Sequence, residues 1–297
     1  MPYVNIGDTK IYYEIYGSEL ELTQDGVREK PTLVVLHGGP GVDHTFEVEF
    51  SKNCASFAQV ILYDHRGNGR SIDNNPDHWN LNQWTKDLHS FCEALGLKKP
   101  FIQGVSMGGW VTMQFAIQYP DYASGFILLD TEAYIDLERV CAAFEKRGGK
   151  EASEIARKFF QKDKPAPEVV EHYFAKCIPL CSNNPIPAAY FKRAILKPEV
   201  GAQVQTERAT FNYMGDLDKI KSPVLYLTNT INPSHLFEVA KETANAMINA
   251  DVTFVPFENC GIVQMDAKEK GIHEINKFIL KHFNNVSLNE NAMLQHV

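Results

Sequence analysis

Gln103-Gly104-Val105-Ser106-Met107-Gly108-Gly109-Trp110 decides the fold. It follows the apolar pair Phe101-Ile102 and leads into Val111-Thr112-Met113-Gln114-Phe115-Ala116-Ile117, where apolar residues recur at helical spacing. A strand that ends and a helix that starts within three residues need a very sharp turn. Glycines two before and two after Ser106 leave room where a Cβ would clash. The turn lifts the serine Oγ above the sheet edge and aims backbone N–H groups at the same space, the arrangement of a nucleophile elbow. The bland alternative is a glycine-rich turn with a bystander serine, and the strand and helix on either side weigh against it.

Working outward, Thr32-Leu33-Val34-Val35-Leu36, Gln59-Val60-Ile61-Leu62-Tyr63 and Gly125-Phe126-Ile127-Leu128-Leu129-Asp130 are apolar runs of the kind that strands show when buried on both faces of a mostly parallel sheet. The first ends in His37-Gly38-Gly39-Pro40-Gly41, the second in Asp64-His65-Arg66-Gly67-Asn68-Gly69-Arg70-Ser71. Tyr3 to Tyr16 reads as a hairpin turning at Gly7-Asp8, residues 18–30 as a polar surface loop, and Leu81 to Leu97 as an amphipathic helix. From about 131 to 215 the strand rhythm stops. Helical segments at 136–147, 151–162, 167–178 and 186–196, rich in aromatic residues and punctuated by prolines, predict a helical cap over the strand ends. The rhythm resumes with a strand at 224–227, a helix at 234–248, a strand at 252–255 and a helix at 266–283. The expected organisation is an α/β core of residues 1–130 and 216–283, a cap of 131–215, and a loose polar tail of 284–297.

With 297 residues the chain is long enough to bury a substantial core. A net charge of −8 and the lack of a basic block argue against nucleic acid as a partner. No apolar run approaches the roughly 18 residues of a membrane span, and the first residues do not resemble a signal peptide. Six scattered cysteines lack paired metal spacing, which suggests buried thiols in a reducing compartment and a cytoplasmic location. Nothing calls for a metal or cofactor. The expected partner is a small-molecule substrate or ligand, and the oligomeric state is not written in the sequence.

The three glycine-rich turns fall at the carboxyl ends of three strands, where open α/β sheets place their sites. Together, His37–Gly41, Asp64–Ser71 and Gly104–Gly109 resemble the α/β-hydrolase superfamily, and most closely its proline iminopeptidase-like branch. The resemblance runs from Tyr3 to Phe283. It implies an α/β-hydrolase fold with Ser106 at the nucleophile position and an oxyanion hole formed by the backbone N–H groups of Met107 and Gly39. Gly38, His37 and Trp110 are then expected beside the substrate, although a histidine at position 37 more often braces its loop. Asp64 and Arg66 are expected to brace loops by charge-assisted hydrogen bonds.

A serine hydroxyl is a poor nucleophile unless a base takes its proton and a third group orients that base. The family carries its acid after the strand at 224–227, where this chain has Asn232. It carries its histidine after the strand at 252–255, where this chain has Gly261, or Ile262 if the register slips by one. The chain therefore departs from the family at two of three catalytic positions. Substitutes are few: His235 as a displaced base, Asp130 or Glu132 as an acid one strand earlier, and Cys260 as a thiol with no neighbour to lower its pKa. Three functions follow. One is an enzyme using Ser106 and the oxyanion hole unconventionally, by non-hydrolytic lyase, isomerase or cyclase chemistry or by hydrolysis with a displaced base. The second is a non-catalytic ligand-binding protein. The third is an ordinary serine hydrolase of the aminopeptidase or esterase kind.

Overall fold

A computed structural model describes residues 2–24, 26–186 and 192–294. Its frame is an eight-stranded sheet. Strands β1 (Tyr3–Asn5) and β2 (Lys10–Tyr16) form an antiparallel edge, joined to six parallel strands: β5 (Thr32–Leu36), β6 (Gln59–Tyr63), β7 (Phe101–Val105), β8 (Gly125–Leu129), β9 (Val224–Asn229) and β10 (Val252–Phe257). The spatial order is β1-β2-β6-β5-β7-β8-β9-β10. β7, β8 and β9 are buried along their whole length, which is why they read as unbroken apolar runs and not as alternating ones. The fold is that of an α/β hydrolase.

Register brings the loops of interest together. Leu36 pairs with Gly104, Val105 with Leu129, Leu129 with Leu227 and Asn229 with Phe257. The carboxyl ends of five neighbouring strands thus lie in one row, and the segments after them form one rim.

Helices cover both faces of the sheet. On one face lie α2 (Leu81–Ala94), α3 (Met107–Gln118) and α8 (Phe237–Ala246). On the other lie α1 (Thr45–Ser51), the one-turn α9 (Val263–Asp266) and α10 (Lys268–Leu294). α2 begins where the Asn80 side chain accepts the Gln83 N–H at 2.8 Å. It buries Leu81, Trp84, Leu88 and Phe91 on one stripe. Burying each of these is worth ~2 kcal/mol, so the stripe holds the helix more firmly than its intrinsic propensity does.

Among the described residues, no named strand lies between β8 and β9. Helix α4 (Leu137–Phe160) is interrupted at Gly149, whose φ of 79° is open to glycine, so the expected break between two helices lies there. α5 (Pro167–His172) runs on through a wide turn, Tyr173–Cys177, into a tight one, Ile178–Leu180. Residues 187–191 of the helix expected at 186–196 lie outside the described residues. Two short helices, α6 (Pro198–Gln203) and α7 (Gln205–Arg208), complete the segment. Val140, Phe144, Phe160, Tyr173, Cys177 and Cys181 form its own apolar cluster.

Two expectations need correction. Residues 18–30 are not a plain loop: β3 (Leu20–Thr23) and β4 (Gly26–Glu29) pair as an exposed hairpin, with Leu22 opposite Val27. Charged side chains on a two-stranded ribbon hid it, because no core face imposes alternation. Residues 284–294 continue α10 and are no loose tail, since neither Gly nor Pro occurs after Gly271 to stop the helix.

Candidate functional site

Ser106 stands between β7 and α3 with φ 50° and ψ −117°, a strained conformation for a residue with a Cβ. The glycines around it are sterically compelled. A Cβ on Gly104 would overlap Gly108 O and the Thr112 hydroxyl, and one on Gly108 would come within 2.5 Å of Leu36 O. The turn is held by Ser106 N–H donating to Leu129 O at 3.0 Å and by the Thr131 hydroxyl donating to Ser106 O at 2.8 Å. Ser106 is partly exposed, and no described side chain hydrogen-bonds its Oγ.

The loop after β5 approaches the serine closely. A Cβ on Gly38 would lie 3.4 Å from Ser106 Cβ and 4.0 Å from its Oγ. Gly39 has φ 126°. The N–H groups of Met107 and Gly39 have no hydrogen-bond partner among the described residues, as oxyanion donors require. The Gly38 N–H instead points to Glu47 Oε1 at 3.4 Å.

Two side chains expected at the pocket are elsewhere. His37 is fully buried: its Nδ1 meets Gly38 O at 2.6 Å and its Nε2 accepts the His65 N–H at 3.0 Å, so both nitrogens brace loops. Burial also pushes its pKa down. Trp110 is 2% exposed and packs on Phe211 with ring centroids 4.4 Å apart, making it core and not pocket wall. The Met107 side chain is buried likewise, leaving only its N–H at the site.

The two residues expected at the acid and histidine positions meet in space. Asn232 Nδ2 donates to Gly261 O at 2.9 Å, while its Oδ1 accepts the Ser234 N–H. Asn232 and Gly261 are thus neighbours, and neither is a titratable group. Position 261 is also closed. A Cβ there would overlap Cys181 O and sit 2.8 Å from Ser182 Cα, because the helical insertion lays its backbone on this loop. Asp266 fixes that arrangement. One carboxylate oxygen accepts the N–H groups of Gly261 and Ile262, and the other accepts Ser182 Oγ and Asn184 Nδ2. Cys260 is buried, and burial pushes its thiol well above the usual range.

A different acid–histidine pair lies one strand over. His235 Nδ1 contacts Glu132 Oε2 at 2.8 Å. Burial would lower the histidine pKa, but Glu132 and then Asp130 outweigh it, so the net shift is upward. Glu132 is nearly buried and its other oxygen, Oε1, has no partner. Together with Ser234, Val140 and Leu236 it lines a narrow crevice below the insertion that has no room for a water molecule. Asp130 accepts from Asn229 Nδ2 at 2.9 Å and from the Val263 N–H at 2.8 Å, and burial raises it to about 6. It serves as a tie between β8, β9 and the segment after β10.

Sequence reasoning missed Glu47. It lies on α1, 3% exposed, between the Gly38 N–H and the Gln264 amide, and burial raises its pKa to about 7. Two apolar neighbours at Phe46 and Val48 gave no signal that the glutamate faces inward.

Residues 31–170 match the family described as alpha/beta hydrolase fold. The proline iminopeptidase of Clostridium botulinum is 36% identical over 133 residues, which is 44% of this chain and 42% of that protein. The chain therefore spans about two-fifths of the length of the curated relatives it matches. Among solved structures, the proline iminopeptidase of Mycobacterium smegmatis superposes with a TM-score of 0.65 at 18% identity, covering 95% of this chain and 98% of that one. The enol-lactonase of Burkholderia xenovorans gives 0.65 at 18%, covering 95% and 100%.

Proposed function

We propose, for a chain with the α/β-hydrolase fold, a hydrolase of small organic substrates in which Ser106 is the nucleophile and His235, oriented by Glu132, is the proton acceptor. The core is 1–130 and 216–283, and 131–215 is the cap. The observation that carries this reading is the 2.8 Å contact between His235 Nδ1 and Glu132 Oε2. A carboxylate on one imidazole nitrogen fixes the tautomer and leaves the other free to take a proton. The pair hangs from the ends of β8 and β9, next to β7, and Thr131 already contacts Ser106.

In the first step His235 Nε2 takes the Ser106 proton, directly once substrate closes the site or through one water. Ser106 Oγ attacks the acyl carbon. The oxyanion forms against the Met107 and Gly39 N–H groups, and the imidazolium is held by Glu132. His235 then protonates the leaving group, and water repeats the sequence to release the acid. If the carbonyl compound is activated without acyl transfer, the same proton shuttle serves lyase or isomerase chemistry with Ser106 only binding.

A second reading, a non-catalytic ligand-binding protein, draws support from the closed position 261. Intact mass after a serine-directed fluorophosphonate separates the two, because labelling needs an activated hydroxyl. The hydrolase reading expects one adduct, lost in Ser106→Ala. It also expects p-nitrophenyl ester hydrolysis that falls about 10²–10⁴-fold in His235→Ala. Activity should rise with pH through a pKa above 6.5, since the base acts unprotonated, and Glu132→Gln should move that limb downward. Brisk hydrolysis unaffected by His235→Ala places the base elsewhere, and no labelling leaves the binding protein.

A further inference from the structure

The loop after β5 has to hold one N–H group still in a stretch built to swivel. Gly38 lies so close to Ser106 that a Cβ there would be 3.4 Å from the serine Cβ. A residue without a Cβ turns freely about both of its backbone bonds, so the peptide groups on either side of Gly38 have to be fixed from outside. The one that follows is fixed by His37. Its Nε2 accepts the His65 N–H, which leaves the ring proton on Nδ1 to donate to the Gly38 carbonyl at 2.6 Å. The Gly38–Gly39 peptide is trans, so its carbonyl and the Gly39 N–H point opposite ways, and the N–H is turned away from the imidazole. The peptide that precedes Gly38 has a different support. Its N–H finds one acceptor among the described residues, Glu47 Oε1, at 3.4 Å.

Glu47 reaches the loop from α1, while its Oε2 accepts the side-chain amide of Gln264 on α9. One carboxyl thus links the oxyanion loop to the segment after β10. Both of its neighbours are donors. An ionised carboxyl accepts from both, whereas a protonated one has to turn its own O–H toward one of them. Burial raises the Glu47 pKa to about 7, and Asp130 at the end of β8 adds to the rise; Gln264, Gly38 and His44 at the start of α1 oppose it. The far end of the loop is held independently. The Gly41 N–H donates to Asn68 Oδ1 at 2.8 Å, and the Gly41 carbonyl accepts the Lys197 N–H at 2.8 Å. Loss of Glu47 therefore frees the Gly38 side alone.

We propose that Glu47 is a positioning residue for the oxyanion hole: by holding the Gly38 N–H it fixes the peptide before Gly38, and with it the direction in which the Gly39 N–H meets the oxyanion. Glu47 itself touches neither the substrate nor the reacting atoms. Its effect on rate rests on the hydrolase reading of Ser106; its hold on Gly38 does not. Removing an oxyanion donor outright costs about 10²–10³-fold in kcat, so a donor swung out of line loses part of that, on the order of tenfold.

The rate test is p-nitrophenyl acetate hydrolysis by the full chain and its Glu47→Leu and Glu47→Gln variants at pH 8. Glu47→Leu should lose about tenfold in kcat with KM within about twofold, because the oxyanion exists only in the transition state. Glu47→Gln should keep kcat within about threefold, since its carboxamide oxygen accepts the Gly38 N–H once Gln264 turns its own amide over. The second readout is the Gly38 backbone amide in NMR spectra. Its proton resonance should move as pH passes through about 7 in the parent. In Glu47→Gln that movement should vanish, although His44 and Asp130 still titrate. Because the His235 pKa is also raised from 6.5, the pH dependence is read at this amide and not in the rate. Equal kcat in Glu47→Leu and the parent overturns the proposal, as does a Glu47→Gln no faster than Glu47→Leu. So does a Gly38 resonance that ignores pH or responds equally in Glu47→Gln. A parent with no esterase activity tells against the hydrolase reading, and the Gly38 titration then decides Glu47 alone. Activity lost in Ser106→Ala but intact in Glu47→Leu tells against Glu47 and leaves the hydrolase reading standing.

Discussion

The half of the site built on β5 and β7 and the half built on β9 and β10 lie in one rim, yet only the first keeps the pattern its motifs announce. The first half is made of backbone: a strained serine, two free N–H groups and glycines that neighbouring carbonyls compel. The second is made of side chains, and there Asn232 and Gly261 stand where an acid and a base are expected. Gly104 and Gly108 cannot change without collision whether or not the protein catalyses anything. An intact elbow therefore reports the packing of the fold, and the histidine and acid positions report the chemistry.

The strongest way to break this contrast is to rebuild the second half. Asn232→Asp with Gly261→His is expected to destabilise the protein by about 3 kcal/mol or more, because the new Cβ meets fixed backbone at Cys181 and Ser182. It should not raise esterase activity above the parent's. Urea unfolding and p-nitrophenyl acetate assays check both, and a stable double variant more active than the parent would show that the insertion yields easily.

Glu47 sharpens the contrast from the intact side. Its pKa in the folded chain is about 7 against an ordinary 4.5, so the native state holds a proton that the unfolded state has released. The resulting cost is absent below pH 4.5 and grows as pH rises to about 7. Glu47→Gln should match the parent at pH 4 and be more stable at pH 8, by at most about 3 kcal/mol. Parallel stability curves for the two proteins from pH 4 to 8 would sink this.

Asp266→Asn tests the tie that closes position 261. It weakens four acceptor contacts and should cost about 1–3 kcal/mol. The folded Asp266 is held below its ordinary 3.8 by those donors, although burial opposes them, so the parent's advantage should fade as pH drops through that range. Thermal melts at pH 7 and pH 3 give the comparison. The smallest effect belongs to Glu138→Gln at the exposed Arg157 pair, where no change in melting temperature is expected in 0.15 M salt.

The elbow, the parallel strands and the helical insertion were legible because each rests on a local pattern: an apolar run, a glycine spacing, a period of 3.6. The β3–β4 hairpin was not, since an exposed ribbon imposes no pattern. Glu132 and His235 were each visible as candidates, but 103 positions separate them and only the β8–β9 pairing joins them. Nor does a glycine at 261 disclose that the space beside it is taken.

That filled space has a consequence for anyone redesigning the rim. A side chain at position 261 requires the Cys181–Ser182 backbone to lift, and lifting it means giving up the Asp266 contacts before anything is gained. Packing of this kind works as a ratchet: a single substitution at 261 moves downhill in stability, and only a change that first frees the strap lets a second one be tolerated.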